Sequence, residues 1–226
     1  MKPELLTVGE SQSRIVVIDD FSGHVEEIRA LAKAMAPFPV ERTTRYPGVR
    51  RHILPKDKAF SYVAETMEAC AQFIGGTYDF DSFRLEEASF SMVTTAPSQL
   101  VTPQKIPHFD QTDPNYLAVL HYLSDTPNTG TAFYRQISTG IEQVTAANCE
   151  TFLTAAKAEA EQEPPTGYIL GSSPRFEQIG FVAAVPDRLI IYQGALLHSG
   201  IIPRTMTFSD DPLTGRLTGN MFVRGH

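Results

Sequence analysis

The sequence has no tryptophan, only two cysteines and no long apolar run. Cys70 and Cys149 each lie in a stretch with helical character, which argues against a disulfide framework or a thiolate metal cluster. No segment approaches the roughly 18 apolar residues of a membrane span, and residues 1–20 lack the apolar segment of a signal peptide. These absences predict a soluble, cytoplasmic protein without a membrane partner.

Basic residues are also scarce. The chain of 226 residues has 19 lysines and arginines against 26 aspartates and glutamates, which gives a net charge of −7. This balance argues against a general nucleic-acid binder but allows a local basic pocket. We therefore expect a small-molecule or peptide substrate and no nucleic-acid partner, and the sequence indicates no oligomeric state.

Residues 1–82 predict one strand and two helices. A β-branched run predicts a strand over residues 14–19, and acidic residues in a first turn predict a helix after Ser22. Apolar residues at spacings of three and four predict another helix from Phe60, which the Gly75-Gly76 pair is expected to end.

Between these two helices, residues 37–39 and 46–51 are expected to form a loop. Its Pro47-Gly48 pair indicates a turn. The side chains of Arg50 and Arg51 could meet an anion, but long charged side chains usually keep their heads in water. We therefore expect both arginines to be solvated.

The remainder of the chain predicts mostly strands. Apolar patterns indicate strands over residues 83–95, 116–123, 131–134, 176–185, 189–192 and 216–223. An Ala- and Glu-rich stretch, residues 146–163, predicts one inserted helix. The expected fold is a single α+β domain over residues 1–226. Residues 83–226 would form a double-stranded β-helix (jelly-roll) core, and residues 1–82 would supply strand and helical support.

His198 lies in an otherwise apolar segment, residues 189–203. A lone histidine there could be a core residue bonded to a backbone carbonyl. However, His108 and Asp110 are two residues apart, so in an extended chain they point from the same face. With His198 arriving from another strand, they would form a set of two histidines and one carboxylate, which is the ligand set of non-haem Fe(II) oxygenases.

The chain resembles the iron(II)- and 2-oxoglutarate-dependent dioxygenases, most closely their prolyl 4-hydroxylase-like branch, in the motifs it contains and in their order along the sequence. The resemblance is carried by His108-Phe109-Asp110, the LAVLHYLSD run, Gly130-Thr131-Ala132-Phe133, His198-Ser199-Gly200 and Arg216-Leu217-Thr218. It implies that His108, Asp110 and His198 are the catalytic residues and hold Fe(II). It also implies that 2-oxoglutarate chelates the iron and that dioxygen takes the remaining position.

The last predicted strand carries the candidate anchor for 2-oxoglutarate. One face of this strand is largely polar and presents Arg216, Thr218, Asn220 and Phe222. This face could be solvated, but the resemblance implies that it lines a cavity in which Arg216 binds the distal carboxylate and Thr218 assists. A guanidinium group matches a carboxylate in a bidentate manner. Arg204 is the rival anchor, because Arg216 follows His198 at a longer interval than the family usually shows.

Tyr122 occupies the family position at which a tyrosine hydroxyl often contacts the 2-oxo acid. It could instead be a core aromatic whose hydroxyl is bonded elsewhere. Its neighbour His121 should point to the opposite face of the strand, and we exclude it from the site.

The resemblance implies an enzyme that decarboxylates 2-oxoglutarate to succinate and carbon dioxide while hydroxylating a C–H bond. Two alternatives remain. One is a cupin-like jelly roll that binds metal without 2-oxoglutarate chemistry, because similar barrels host unrelated functions. The other is a purely structural or interaction domain, which would require His108, Asp110 and His198 to lie apart. The sequence does not identify the primary substrate.

Overall fold

The structure is a computed structural model that describes residues 1–40 and 46–226. These residues form ten strands and three α-helices, with two short 3-10 turns between β4 and β5. In chain order they are β1 (Lys2–Val8), β2 (Ser13–Asp19), α1 (Val25–Ala34), β3 (Gly48–His52), α2 (Phe60–Tyr78), β4 (Phe83–Val93), β5 (Tyr116–Tyr122), β6 (Gly130–Gln136), α3 (Cys149–Gln162), β7 (Phe176–Ala183), β8 (Leu189–Gln193), β9 (His198–Ile201) and β10 (Leu217–Gly225).

The strands form two antiparallel sheets. A seven-stranded sheet has the order β1-β2-β8-β5-β10-β4-β3, and a three-stranded sheet has the order β7-β6-β9. An apolar cluster joins Val17, Ala118 and Ile190 of the large sheet to Phe133 and Val182 of the small one, so the sheets face each other. The predicted antiparallel, jelly-roll-like architecture is confirmed.

Helices cover the outer faces of both sheets, whereas the sequence predicted helical support on one side and an inserted helix without a defined position. An apolar stripe of α2 that includes Val63, Cys70 and Ile74 is buried against the large sheet, together with residues of α1. On the other side, Phe152 and Ala156 of α3 pack against the small sheet. No helix in the described part of the chain is long and apolar enough to cross a membrane.

The predicted end of α2 is wrong. Gly75 and Gly76 lie inside the helix, which continues to Tyr78. The helix ends at Asp79, whose φ of 60° places it in the left-handed region and whose N–H donates to the carbonyl of Gly75. Aspartate tolerates this conformation, so it can end a helix without glycine at that position.

The predicted loop over Arg50 and Arg51 is also wrong, because these residues belong to β3. The strand pairs with β4 in a register that runs from Gly48 opposite Val93 to His52 opposite Ser89. A Cβ atom at Gly48 would overlap the backbone carbonyl of Met92. The glycine therefore permits a close approach of two strands and does not form a turn.

Strand β1 was not predicted. It forms a hairpin with β2, but most of its residues are exposed, so the sequence shows no clear alternation between apolar and polar side chains. It lies at the edge of the large sheet, far in the strand order from the strands that carry the candidate site.

Candidate metal centre and adjoining cavity

The two predicted histidine ligands lie side by side because their backbones pair. The N–H of His198 donates to the carbonyl of His108 at 2.8 Å, and the N–H of His108 donates to that of His198 at 2.9 Å. As a result, the two imidazole rings lie with their centroids 4.4 Å apart. The ring of Tyr192 packs against His198 at a centroid distance of 4.8 Å.

Asp110 is fixed by a second backbone contact. Its N–H donates to the carbonyl of Gly194 at 2.7 Å. A Cβ at Gly194 would lie 3.2 Å from the Cβ of Asp110 and 2.8 Å from the ring of Tyr116. Glycine at this position therefore lets the segment before β9 approach Asp110 closely.

The structure thus brings His108, Asp110 and His198 together. One ligand atom from each lies within 4.8 Å of the others, and no other group of at least three such residues was found in residues 1–40 and 46–226. Nδ1 of His198 lies 2.8 Å from the carbonyl of Leu196, which assigns the proton to Nδ1 and leaves the lone pair of Nε2 for a metal.

Asp110 has the electrostatic character of a metal ligand. Its Oδ2 atom is buried without a hydrogen-bond partner among the described residues. Burial raises the pKa of Asp110, while the charges of His198 and Arg50 act in the opposite direction. Because an unpaired buried carboxylate is costly, a divalent cation at this position would relieve the penalty. Two imidazoles and one carboxylate also suit Fe(II), so the residues present fit the metal.

A cavity of about 510 Å³ adjoins these three residues. It lies between the two sheets, and residues of both sheets line it. The inner face of β10 contributes Thr218, Asn220 and Phe222, as the strand alternation predicts, and β5 contributes Tyr116, Ala118 and Leu120.

Arg216, and not Arg204, lines this cavity. The Arg216 side chain is only 7% exposed, and its Nη2 donates to the carbonyl of Gly130 at 3.3 Å. Its Nε atom is buried and has no hydrogen-bond partner among the described residues. Arg204 is exposed and lies outside the cavity wall. Of the two rival anchors, only Arg216 therefore presents unsatisfied donors next to the cavity.

Tyr122 and Thr218 lie near this arginine but are already hydrogen-bonded. The hydroxyl of Tyr122 lies 2.7 Å from Oγ1 of Thr131, and of these two residues only Thr131 lines the cavity. Burial raises the pKa of Tyr122 to about 12, so its hydroxyl stays protonated at neutral pH. Thr218 donates to the carbonyl of Ser91 at 3.4 Å. Tyr122 is therefore linked to the cavity only by its hydrogen bond with Thr131.

Sequence reasoning missed two charged residues of the cavity, Glu87 and Arg50, and Arg50 is the cation of the two. Its side chain is 13% exposed and lines the cavity, contrary to the expectation that it is solvated. Its Nε donates to Oγ of Ser91 at 3.1 Å, and its guanidinium carbon lies 4.8 Å from the centroid of the Tyr46 ring. The alternation of side chains along β3 would have indicated an inward Arg50 if the strand had been recognised.

Comparison with solved structures shows a shared fold. HygX from Streptomyces hygroscopicus, with nickel and 2-oxoglutarate bound, is 19% identical with a TM-score of 0.54, covering 95% of this chain and 84% of HygX. The 2-oxoglutarate-Fe(II) oxygenase family oxidoreductase from Burkholderia pseudomallei is 11% identical with a TM-score of 0.53, covering 94% and 84%.

A third solved structure extends the range of reactions found on this fold. The α-ketoglutarate-dependent epimerase SnoN, from nogalamycin biosynthesis, is 13% identical with a TM-score of 0.56, covering 93% of this chain and 78% of SnoN. The likeness to 2-oxoglutarate-dependent oxygenases that the sequence predicts is confirmed for the fold.

Comparison of the sequence itself identifies a family but no curated relative. No curated protein sequence matches the chain. One family does match, and the match spans residues 1–223. The chain therefore belongs to the family described as a family of unknown function, DUF6445.

Proposed function

We propose that the protein is an Fe(II)- and 2-oxoglutarate-dependent dioxygenase that hydroxylates a C–H bond of a small molecule or peptide. One observation carries the proposal: a single cavity is bordered by a three-residue metal-ligand set and by a buried arginine with an unsatisfied donor. The first feature alone would suit any metal-binding jelly roll. The second supplies the cation that the distal carboxylate of a 2-oxo acid needs.

Each residue then has a defined task. Nε2 of His108, Nε2 of His198 and a carboxylate oxygen of Asp110 would hold the iron. When bound with 2-oxoglutarate and dioxygen, the iron would supply oxidative decarboxylation of 2-oxoglutarate to succinate and carbon dioxide, coupled to hydroxylation of a C–H bond. Arg216 would bind the distal carboxylate, and the hydroxyl pair of Tyr122 and Thr131 would offer a further donor beside it.

The walls of the cavity would exclude bulk water from the reacting atoms. Tyr192 and Ala118 are buried residues of the wall near the candidate ligands. In such a water-poor site, the contact between Arg216 and a carboxylate is stronger than it would be in solution. We propose further that the two sheets form a double-stranded β-helix, and the two unpaired cysteines support a cytoplasmic, reducing setting.

The alternative is a cupin-like protein that binds metal at the same three residues without 2-oxoglutarate chemistry. The two functions differ in what they require of Arg216. A dioxygenase needs this cation to bind the cosubstrate, whereas a cupin-like metal protein would use it only to bond the carbonyl of Gly130. A test of the arginine therefore separates them.

The test is an anaerobic titration of the Fe(II)-loaded protein with 2-oxoglutarate, followed by the metal-to-ligand charge-transfer band. Loss of one partner from a desolvated charge pair costs about 3 to 5 kcal/mol, so Arg216→Ala should weaken 2-oxoglutarate binding by about two or more orders of magnitude. Iron affinity should be little changed.

Arg204→Ala is the matched control, because Arg204 is exposed and outside the cavity. It should bind 2-oxoglutarate as the wild type does. If only Arg204→Ala lost the band, our choice of anchor would be wrong. If the wild type itself bound no 2-oxoglutarate, the cupin-like function would be the better one.

A further inference from the structure

Arg50 is the second arginine of the described residues that lines the cavity. It lies opposite Ser91 in β4, and Ser91 lies opposite Thr218 in β10. Arg50 therefore lies in the same transverse row of the large sheet as Thr218, on the inner face. The metal ligands and the anchor at Arg216 leave this second cation without a role.

The guanidinium of Arg50 is held in place from two sides. Its Nε donates to Ser91, and the ring of Tyr46 lies against its plane. Neither contact uses the two terminal nitrogens. Among the described residues, Nη1 and Nη2 of Arg50 have no hydrogen-bond acceptor, so the fork that matches a carboxylate remains open.

Glu87 partly balances the charge of Arg50 without bonding it. Its Oε1 lies 3.6 Å from Nη1 of Arg50, which is an ion-pair distance but too long for a hydrogen bond. This same oxygen is buried and lacks a hydrogen-bond partner among the described residues. The two side chains are thus close enough to attract each other, but each retains unsatisfied bonding capacity.

Arg50 lines the same cavity as the candidate metal ligands His108, Asp110 and His198. An anion on Arg50 would therefore share this cavity with the metal, where a substrate must be placed for reaction. The cavity volume of about 510 Å³ falls in the range of sites that hold a ligand of drug size, so it has room for more than a small dicarboxylate.

We propose that Arg50 binds a carboxylate of the primary substrate and selects for acidic substrates. This inference rests on the proposed function, in which Arg216 is already used by the distal carboxylate of 2-oxoglutarate. The substrate carboxylate accepts hydrogen bonds from both terminal nitrogens of Arg50 and competes with the nearby charge of Glu87. The enzyme therefore acts on small carboxylic acids, and neutral analogues are poor substrates.

The test uses butyrate as a simple carboxylate probe and butyramide as its neutral counterpart. Protein labelled with 15N and loaded with Zn(II), which is diamagnetic, and with 2-oxoglutarate is titrated with each probe. The Nε–H resonance of Arg50 is identified by its absence in Arg50→Met, which keeps the aliphatic part of the side chain. We expect butyrate to shift this resonance saturably, with a dissociation constant on the order of millimolar, and butyramide to leave it unchanged.

Three variants sharpen the test, with butyrate binding to each followed by ligand-observed NMR. Arg50→Met should weaken butyrate binding about tenfold or more while 2-oxoglutarate affinity stays within about threefold of wild type. Arg51→Met is the matched control, because Arg51 is the next residue of β3, lies outside the cavity wall and should affect neither ligand. Glu87→Gln should strengthen butyrate binding, because it removes the competing carboxylate.

Several results would overturn the inference. These are no saturable shift with butyrate, an equal shift with butyramide, or loss of 2-oxoglutarate binding in Arg50→Met, which would make Arg50 the cosubstrate anchor. Failure of the proposed function is distinguishable, because it would appear as absent 2-oxoglutarate binding in the wild type. The Arg50 resonance would still report on butyrate in that case, since the titration can be repeated without 2-oxoglutarate.

Discussion

Two histidine and aspartate clusters lie on opposite faces of the seven-stranded sheet, and they differ in how completely they are bonded. On the outer face, His121 of β5 accepts from the hydroxyl of Tyr62 at Nδ1 (3.1 Å) and donates from Nε2 to Asp187 (3.0 Å). Both ring nitrogens are therefore occupied. On the inner side, His198 bonds through Nδ1 alone, and its Nε2 faces Asp110 at 3.7 Å, too far for a hydrogen bond.

The two aspartates differ in the same way. Burial acts to raise the pKa of Asp187, but hydrogen bonds from His121, Ser22 and Gly23 outweigh it and hold that pKa below its ordinary value. Burial raises the pKa of Asp110, and no hydrogen bond to its Oδ2 compensates within the described residues. The side chains of Asp187 and Asp110 are 13% and 17% exposed, yet their pKa values shift in opposite directions. Asp187 has its hydrogen-bond donors, whereas Oδ2 of Asp110 has none among the described residues.

The Tyr62, His121 and Asp187 chain links α2 and β5 to the loop before α1, and its hydrogen bonds are made within the protein. At Asp110, a buried carboxylate oxygen has no hydrogen-bond partner among the described residues, and a cation bound there would balance its charge. The contrast therefore supports our proposal that the Asp110 cluster is a metal site. Four predictions test this contrast, from the largest effect to the smallest.

The largest expected effect is on metal affinity. Changes to residues behind the ligands already weaken metal binding by about 10- to 100-fold, so loss of the direct ligand in Asp110→Ala should abolish tight Fe(II) binding. Asp187→Ala should leave the iron affinity unchanged, because Asp187 lies on the other face of the sheet. Anaerobic calorimetry measures both values. Unchanged affinity in Asp110→Ala would remove the proposed metal site.

The second expected effect is on stability, and it arises from a change at Asp187 instead of Asp110. Asp187 accepts hydrogen bonds from the Ser22 N–H and hydroxyl, from the Gly23 N–H and from His121. Asp187→Ala leaves these donors without their acceptor and should lower the free energy of unfolding by about 3 kcal/mol or more, measured by urea denaturation.

Asp20→Ala is a suitable control for this loss. Asp20 shares the positive φ of Asp187, at 50° against 65°, but its side chain forms only an exposed ion pair with Lys2. Exposed pairs contribute at most about 1 kcal/mol, so the control should lose far less stability. Equal losses in both variants would mean that the backbone conformation, and not the hydrogen bonds, sets the cost at Asp187.

The third prediction is a gain of stability in the metal-free protein. The raised pKa of Asp110 means that its contribution to stability is present below the unfolded value of 3.8 and is lost as pH rises through the folded value. Asp110→Asn removes the buried charge and should stabilise the metal-free protein at neutral pH by about 1 kcal/mol. Asp187→Asn should destabilise it. The unfolding free energies are measured with a chelator present. A loss of stability in Asp110→Asn would contradict the inference that Asp110, unlike Asp187, is a buried charge without hydrogen-bond partners.

Part of the inner cluster was readable from the sequence. Strand alternation predicted that His108 and Asp110 point from one face and that His121 points to the opposite face of its own strand, and the family resemblance implied that His198 joins the first two. Arg50 was missed because Pro47-Gly48 resembles a turn, whereas β3 exists through its pairing with β4, a contact that local sequence does not reveal. The partners that distinguish Asp187 from Asp110 also come from segments distant in sequence, so no local pattern could identify them.

The smallest expected effect is a pH dependence from His121. Burial lowers its pKa from the ordinary value of 6.5, although its bond to Asp187 acts in the opposite direction. Between the lowered pKa and 6.5, the unfolded chain binds a proton that the folded protein does not. The free energy of unfolding should therefore fall as pH drops below 6.5, by at most about 1.4 kcal/mol per pH unit for this one proton.

His121→Gln isolates this contribution, because it removes the titrating group while the other histidines remain. We expect the metal-free variant to show a shallower pH dependence of its unfolding free energy than the wild type below pH 6.5, measured by urea denaturation at a series of pH values. Equal slopes in wild type and His121→Gln would show that His121 gains its proton equally in both states. The bond to Asp187 would then offset the effect of burial on His121 completely, and the contrast with the candidate metal centre would rest on Asp187 alone.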